Sequence, residues 1–433
     1  MRGGDVGSVG VEVEESGEAV AVREEARAWF EANWDPELSI GEWWKLLAAS
    51  GWGLPTWPRE WYGRGLPSHL ARVVGDEAKA VGTAPAPTGV SIMLACPTIV
   101  AHGTDEQKRR FVPPAVHGEQ MWCQLFSEPG AGSDLASLQT RAVRDGDEWV
   151  VDGQKVWTSG AQYSEWGILI ARTDPDVPKH KGITFFVIDM HQPGVEVRPI
   201  VEMSGGKTFN EVFLTEARVP NANVIGEVNG GWAVTMTTLA NERQSLGAQS
   251  SNFMGGGRLF DKADLSVSAG EYAKPAGGEL GGLGALLGGG AGQVLAMAAQ
   301  MTGKAGDAIT RQNLMRLLSL VEINRYTGLR VTAATSRGLA PGPEVSTGKL
   351  AASQLVREAR DALMALFGGP AMLAGTDAPF GGMLQMLTLM SPAVSIAGGT
   401  DQIQRNIIGE RVLGLPAEPR VDKDVAFKDT LVN

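Results

Sequence analysis

Phe126-Ser127-Glu128-Pro129-Gly130-Ala131-Gly132-Ser133-Asp134, followed downstream by Trp157-Thr158-Ser159-Gly160, is the stretch on which the reading of this chain turns. A short apolar run, residues 122–126, feeds a turn of small residues rich in hydroxyls and backbone N–H groups. Glycine lets backbone come close to a ligand, hydroxyls and N–H groups donate to anions, and an indole covers a ring face. Such a surface suits a large flat cofactor carrying phosphates.

Around this stretch the texture is that of strands. Residues 140–144 precede Asp145-Gly146, residues 149–151 precede Asp152-Gly153, and Lys155-Val156-Trp157 follows. Two Asp-Gly turns between β-rich runs predict hairpins. Residues 167–172, 182–189, 195–200 and 210–214 continue as strands, giving an all-β module of roughly 100 residues, a small antiparallel barrel or sandwich.

The flanks are helical. Residues 23–34 and 41–50 set Trp29, Phe30, Trp43, Trp44, Leu46 and Leu47 at helical spacing. Residues 51–58 and 85–88 break the pattern, and residues 105–112 resume it with Thr104 or Asp105 as cap. Beyond Val228, residues 231–247, 309–336, 346–367 and 400–413 read as helices, the last capped by Thr400 and stopped by Gly414 and Pro416. The organisation expected is an α+β multidomain chain: a disordered acidic tail (1–18), an N-terminal helical domain (19–120), a β-domain (121–228), a C-terminal helical bundle (229–416) carrying a Gly-rich, linker-like insertion (about 255–306), and a C-terminal tail (417–433).

Composition narrows the function. A chain of 433 residues has room for two or three subdomains and an enclosed site. The net charge of −11, without a Lys/Arg run, argues against nucleic acid as a partner. Two cysteines, Cys96 and Cys123, exclude a disulfide framework and fit a reduced, cytoplasmic setting. The N-terminal segment has no apolar core, so it reads as neither signal nor transit peptide, and residues 280–301 are too Gly-rich and light for a bilayer span. The five histidines are scattered, so no metal site is expected.

The order helices, β-module, helices, with the glycine-hydroxyl turn opening the β-module, resembles the acyl-CoA dehydrogenase family. The resemblance rests on residues 126–134 and 153–160, on Asn210-Glu211-Val212-Phe213 and on Gly399-Thr400-Asp401-Gln402-Ile403-Gln404-Arg405-Asn406. Pro97-Thr98-Ile99, His102-Gly103-Thr104 and Glu106-Gln107-Lys108 add to it; residues 255–308 do not follow the pattern. It implies FAD as cofactor, an acyl-CoA thioester as substrate and an electron-transferring flavoprotein as electron acceptor. The implied reaction takes a proton from Cα and a hydride from Cβ, with flavin N5 receiving the hydride, and leaves a trans-2-enoyl-CoA. It also implies a homo- or hetero-oligomer, dimer or tetramer.

Much of the family carries its basic Glu immediately before the Gly-Thr of the C-terminal motif, where this chain has Gly398. A smaller, isovaleryl- and long-chain-like branch places it on the helix after the β-module, just before an Arg. The matching residues are Glu242 and Arg243. The resemblance thus implies Glu242 as base and Arg243 as its neighbour at the substrate, with the Gly398 N–H on the thioester carbonyl. For the cofactor it implies Gln124, Phe126, Ser127, Gly132, Ser133, Trp157, Thr158, Ser159, Thr400 and Gln402, with Ser133 also near the substrate. Gly368 and Gly369 match a pair that meets the adenosine half of a neighbour's cofactor. The family's Arg-x-x-Phe-Gly segment has no clear copy; Arg258 with Phe260, or Arg311 with Gln312, are poor substitutes, and Ala365 stands where a Gln is usual. Two alternatives follow: a non-catalytic subunit of a hetero-oligomer, and an oxygen-using oxidase or monooxygenase on the same scaffold.

Overall fold

A computed structural model describes residues 16–247, 262–274, 291–335, 337, 342–343, 345–419 and 421–430. The tail expected over 1–18 lies outside this range as far as residue 15. Helix α1 (Gly17–Asn33) starts earlier than the apolar spacing suggests, because the Ser16 hydroxyl caps it by accepting from the Ala19 N–H. Helix α2 (Ile40–Ser50) opens on a capping box between Ser39 and Glu42 and stops where Gly51 turns left-handed. With α3 (Ser68–Val81) they bury Phe30, Ile40, Trp43, Trp44, Leu47, Leu70 and Val74. A wide turn (Ser91–Ala95) runs into α4 (Cys96–His102), and α5 (Asp105–Val116) is capped by Thr104 with Gln107.

The β-module has eight strands: β1 (Trp122–Leu125), β2 (Arg141–Asp145), β3 (Glu148–Lys155), β4 (Trp166–Arg172), β5 (Ile183–Asp189), β6 (Val195–Pro199), β7 (Asn210–Pro220) and β8 (Val224–Ile225). They follow the order β6-β7-β3-β2-β4-β5-β8, with β1 beside β4. The sheet is not purely antiparallel as expected, since β1 runs parallel to β4 with Trp122 opposite Trp166 and Leu125 opposite Leu169. Alternation in β4 and β5 sends Ile168, Ile170, Phe185 and Val187 into a core shared with the helices. The intervening Leu169, Ala171, Phe186 and Ile188 enter a second core on the other face. Both faces are covered, which is why these strands read as unbroken apolar runs.

Helix α6 (Gly231–Gly247) leaves the sheet directly. A methyl group at Gly231 would lie 2.6 Å from the Phe185 backbone nitrogen. Gly231→Ala is therefore expected to lift the start of α6 off β5 and to cost about 1–3 kcal/mol, read as a lowered midpoint in urea unfolding.

The stretch expected as loose insertion over 255–306 is in part well anchored. Its residues 262–274 lie along α2: the Ile40 N–H donates to Val267 O and the Ala269 N–H to Leu38 O, each at 2.7 Å. A short helix α7 (Ala269–Ala273) completes that contact, with Ala269 fully buried. Helix α8 (Ala291–Met301), also unforeseen, joins α9 (Ala308–Thr335), α10 (Val345–Phe367) and α11 (Met383–Val394) around Leu295, Leu317, Leu363 and Leu384. The chain then turns through Gly398 and Gly399, both at positive φ, into α12 (Asp401–Ile407), capped by Thr400 as expected. Among the described residues no helix is long and apolar enough to cross a membrane, and no cluster of metal-ligating side chains occurs.

Candidate functional site

The turn after β1 is held from beneath. Lys155, fully buried at the end of β3, donates to the Phe126 carbonyl at 3.0 Å and to Glu128 at 2.8 Å. Glu128 in turn accepts from the Gln139 and Thr140 N–H groups at 2.7 and 2.9 Å. Burial pushes the Glu128 carboxyl upward, but the Lys155 charge and these donors outweigh it and hold the group below the usual carboxylate range. The Ser127 carbonyl accepts from the Val156 N–H at 2.9 Å. With the Phe126 carbonyl turned inward, the planar trans peptide sends the Ser127 N–H the opposite way, out of this floor.

Above the floor the turn is open. Pro129, Gly130, Gly132 and Ser133 are exposed, and a Cβ on Gly132 would meet nothing within 4 Å. Trp157 is 59% exposed and sits at φ 62°, a left-handed conformation costly for a bulky residue, with its ring edge-on to Phe209 at 5.9 Å. A strained, uncovered indole beside an open glycine turn is a surface shaped for a planar ligand.

The other predicted residues fall into three groups. Phe126 is 4% exposed and stacks edge-on to Phe185, so it offers a ligand backbone only. Gln124 and Ser159 are half-buried. Thr158 is fully buried; its N–H and carbonyl are both paired with the Asn210 backbone, so its side chain faces the sheet and Ser159 holds the open side.

Glu242 lies on α6, where Thr238 is bonded to Thr98 at 2.9 Å and Thr237 to His102 at 2.8 Å. At 3.6 residues per turn, Glu242 falls roughly 40° from Thr238 and about 20° from Thr235, in the middle of the buried arc. Thr235 and Thr238 are fully buried, and Glu242 is half-buried. Val234 and Leu239 of α6 share one apolar core with Phe126, Ala131 and Leu135 of the turn, so helix and turn are fixed against the same layer. The Arg243 side chain, and Arg258 with Phe260, lie outside the described residues; Arg311 and Gln312 begin α9.

The C-terminal candidates are carried by α10 and α12, and α10 packs against both α12 and α6. Thr400 and Gln402 open α12, where Asp401 is 3.2 Å from Lys349 and 2.9 Å from Arg357 of α10. The Gly398 carbonyl accepts from Gln404 at 3.0 Å. Gly368 and Gly369 lie at the exposed far end of α10 with open space beside them. At 1.5 Å per residue they stand about 16 Å beyond Arg357 along that helix, away from Thr400.

Sequence reasoning did not assign Lys155 and Glu128 their place under the turn. The signal was present: Lys155 is spaced four residues from the buried Val151 on the same strand face, where a charge needs a partner.

Three family models match the chain: the acyl-CoA dehydrogenase N-terminal domain over residues 16–119, the middle domain over 123–216 and the C-terminal domain over 286–413. The chain therefore belongs to the acyl-CoA dehydrogenase family, whose members are FAD-dependent oxidoreductases. It is 38% identical over 374 residues to acyl-CoA dehydrogenase FadE34 of Mycobacterium tuberculosis, a match covering 86% of this chain and 45% of that protein's length. It is 38% identical over 387 residues to acyl-CoA dehydrogenase IpdE1 of the same organism, covering 87% of this chain and 88% of that one. Among solved structures it is similar to the Tcur3481-Tcur3483 steroid ACAD, with 27% identity and a TM-score of 0.71 over 94% of this chain and 100% of the other. It is also similar to the ChsE4-ChsE5 complex of Mycobacterium tuberculosis, with 30% identity and a TM-score of 0.70 over the same shares. FAD fits the residues present: the open glycine turn matches a pyrophosphate and the exposed Trp157 a ring system.

Proposed function

We propose that this chain dehydrogenates an acyl-CoA thioester between Cα and Cβ, with Glu242 as the base. The observation that carries the reading is the placement of Glu242 on the buried arc of α6, a helix whose Val234 and Leu239 share one apolar core with the glycine turn. A bound acyl chain that excludes water from this half-buried carboxylate would strengthen its pull on a weakly acidic C–H. FAD, when bound, supplies the acceptor for the hydride that leaves Cβ and passes the electrons to an electron-transferring flavoprotein.

The chain's own residues then divide the work. Backbone at Phe126 and Ser127, with Gln124 and Ser159, borders the ring system, and Trp157 covers it. Gly132, Ser133, Thr400 and Gln402 face the phosphates, Ser133 also lying toward the substrate. The Gly398 N–H donates to the thioester carbonyl and stabilises the charge that develops as Cα loses its proton. Arg243 orients Glu242 or meets the CoA arm.

A second chain completes the site. Two features support this: Gly368 and Gly369 present open backbone away from Thr400, and α9 leaves Met315, Leu318, Tyr326 and Leu329 exposed along one side. The likeness to a steroid ACAD and to the ChsE4-ChsE5 complex makes bulky side-chain thioesters and a hetero-oligomer the first cases to try.

The test is an anaerobic titration of the FAD-loaded protein with straight, branched and steroid-side-chain acyl-CoAs, alone and with a partner dehydrogenase chain. Bleaching of the flavin band by at least one thioester, with slow reoxidation in air, is expected. A protein that stays colourless with FAD and any partner would establish the non-catalytic subunit, and rapid reoxidation in air the oxygen-using enzyme.

A further inference from the structure

The C-terminal tail returns to the β-module and fastens the cofactor turn from outside. Residues 421–430 lie along the loop between β4 and β5. The Phe427 N–H donates to Val177 O at 2.9 Å, the Lys428 N–H to Pro175 O at 3.0 Å, and Ala426 pairs with Pro178. Two tail side chains reach further. Asp422 meets Lys179 at 2.5 Å, and the Phe427 ring covers the Arg172 guanidinium at 3.7 Å.

Both cations they meet have a second grip. Lys179 also bonds Asp134, the last residue of the glycine-hydroxyl turn, at 2.7 Å. Arg172 donates to the carbonyls of Ala136 at 2.6 Å and Leu138 at 3.3 Å, in the segment that follows. It also donates to the Lys179 carbonyl at 2.5 Å, tying the two cations together. The same loop touches the base helix, where the His180 ring stands edge-on to Trp232 at 4.8 Å. Arg172 is 4% exposed, so the phenyl ring serves as its lid against water, which competes for its hydrogen bonds.

We infer that Asp422 and Phe427 are positioning residues: through Lys179 and Arg172 they fix residues 134–138, and with them the open turn that takes FAD and the thioester. This rests on the reading of that turn as the cofactor site. The effect travels through Lys179 and Arg172, two side chains whose geometry the tail sets.

The test uses the full chain as Asp422→Asn/Phe427→Ala, with Asp422→Glu and Phe427→Tyr as conservative controls. Hydrogen exchange of the backbone amides is measured without cofactor, followed by FAD affinity, KM and kcat. The expected result is exchange at least about tenfold faster in residues 130–138 and 173–182 but not in α10 or α11. FAD affinity falls, KM rises more than kcat drops, and the conservative variants behave as the parent. Exchange in 130–138 that stays at the parent rate, or rises equally across the molecule, overturns the proposal. A loosened turn in a protein whose parent binds no FAD keeps the strap but removes the cofactor reading, so the two failures are told apart.

Discussion

Glu242→Gln is expected to lower the rate of flavin reduction by an acyl-CoA about 1,000-fold while FAD and thioester still bind. The amide keeps the size of the carboxylate and removes its basicity. Loss of a positioned general base costs on the order of 10²–10⁴ in rate, and no second carboxylate replaces it at Gly398. Rapid-mixing absorbance under anaerobic conditions gives the rate, and the shift of the flavin band on adding thioester reports binding. A variant that reduces its flavin at the parent rate removes Glu242 from the mechanism. The pair Glu242→Gln with Gly398→Glu, which restores a carboxylate at the position used by much of the family, separates the need for a base from the need for this base.

Lys155→Ala is expected to destabilise the protein by about 3–5 kcal/mol, because it strands the buried Glu128 carboxylate. Urea unfolding followed by tryptophan fluorescence measures it, as a lower midpoint at similar slope. The double variant Glu128→Gln/Lys155→Met should recover part of the loss. The stranded charge of the pair is gone, but the Gln139 and Thr140 N–H groups bond different carboxylate oxygens, so the amide oxygen keeps one of them and the amide NH2 faces the other. The pH dependence carries its own sign. The Glu128 carboxyl is lowered in the folded state, so its contribution is complete above the unfolded carboxylate value and is lost as pH falls through the lower folded value. Acid unfolding of the parent should therefore steepen below about pH 4, a step missing from the double variant. FAD retention should follow the same order, since Lys155 also holds the Phe126 carbonyl.

The three-part architecture was legible because each part has a strong period: helical spacing around Trp43 and Trp44, Asp-Gly turns at 145–146 and 152–153, and a capped helix at Thr400. Helix α6 was legible to its ends. What escaped was set by tertiary contact. Residues 262–274 are glycine-flanked and polar enough to pass for linker, and only the edge offered by Leu38 and Ile40 gives their backbone partners. The parallel run of β1 beside β4 leaves no mark on either strand, since direction is decided by the path between them. Thr158 carried the same motif signal as Ser159, yet pairing with Asn210 turned one inward and left the other at the open side.

That β1–β4 pairing bears on the order of assembly. Trp122 and its partner Trp166 are far apart in the chain, and a parallel partner is reached only by a long crossover, here through β2 and β3. Contacts of such separation form late. During synthesis the first strand must therefore wait, with the edge that β4 will pair still open, until the fourth has been made. A chaperone that captures the nascent chain should find its target in this interval, and cofactor uptake should begin only once it has ended.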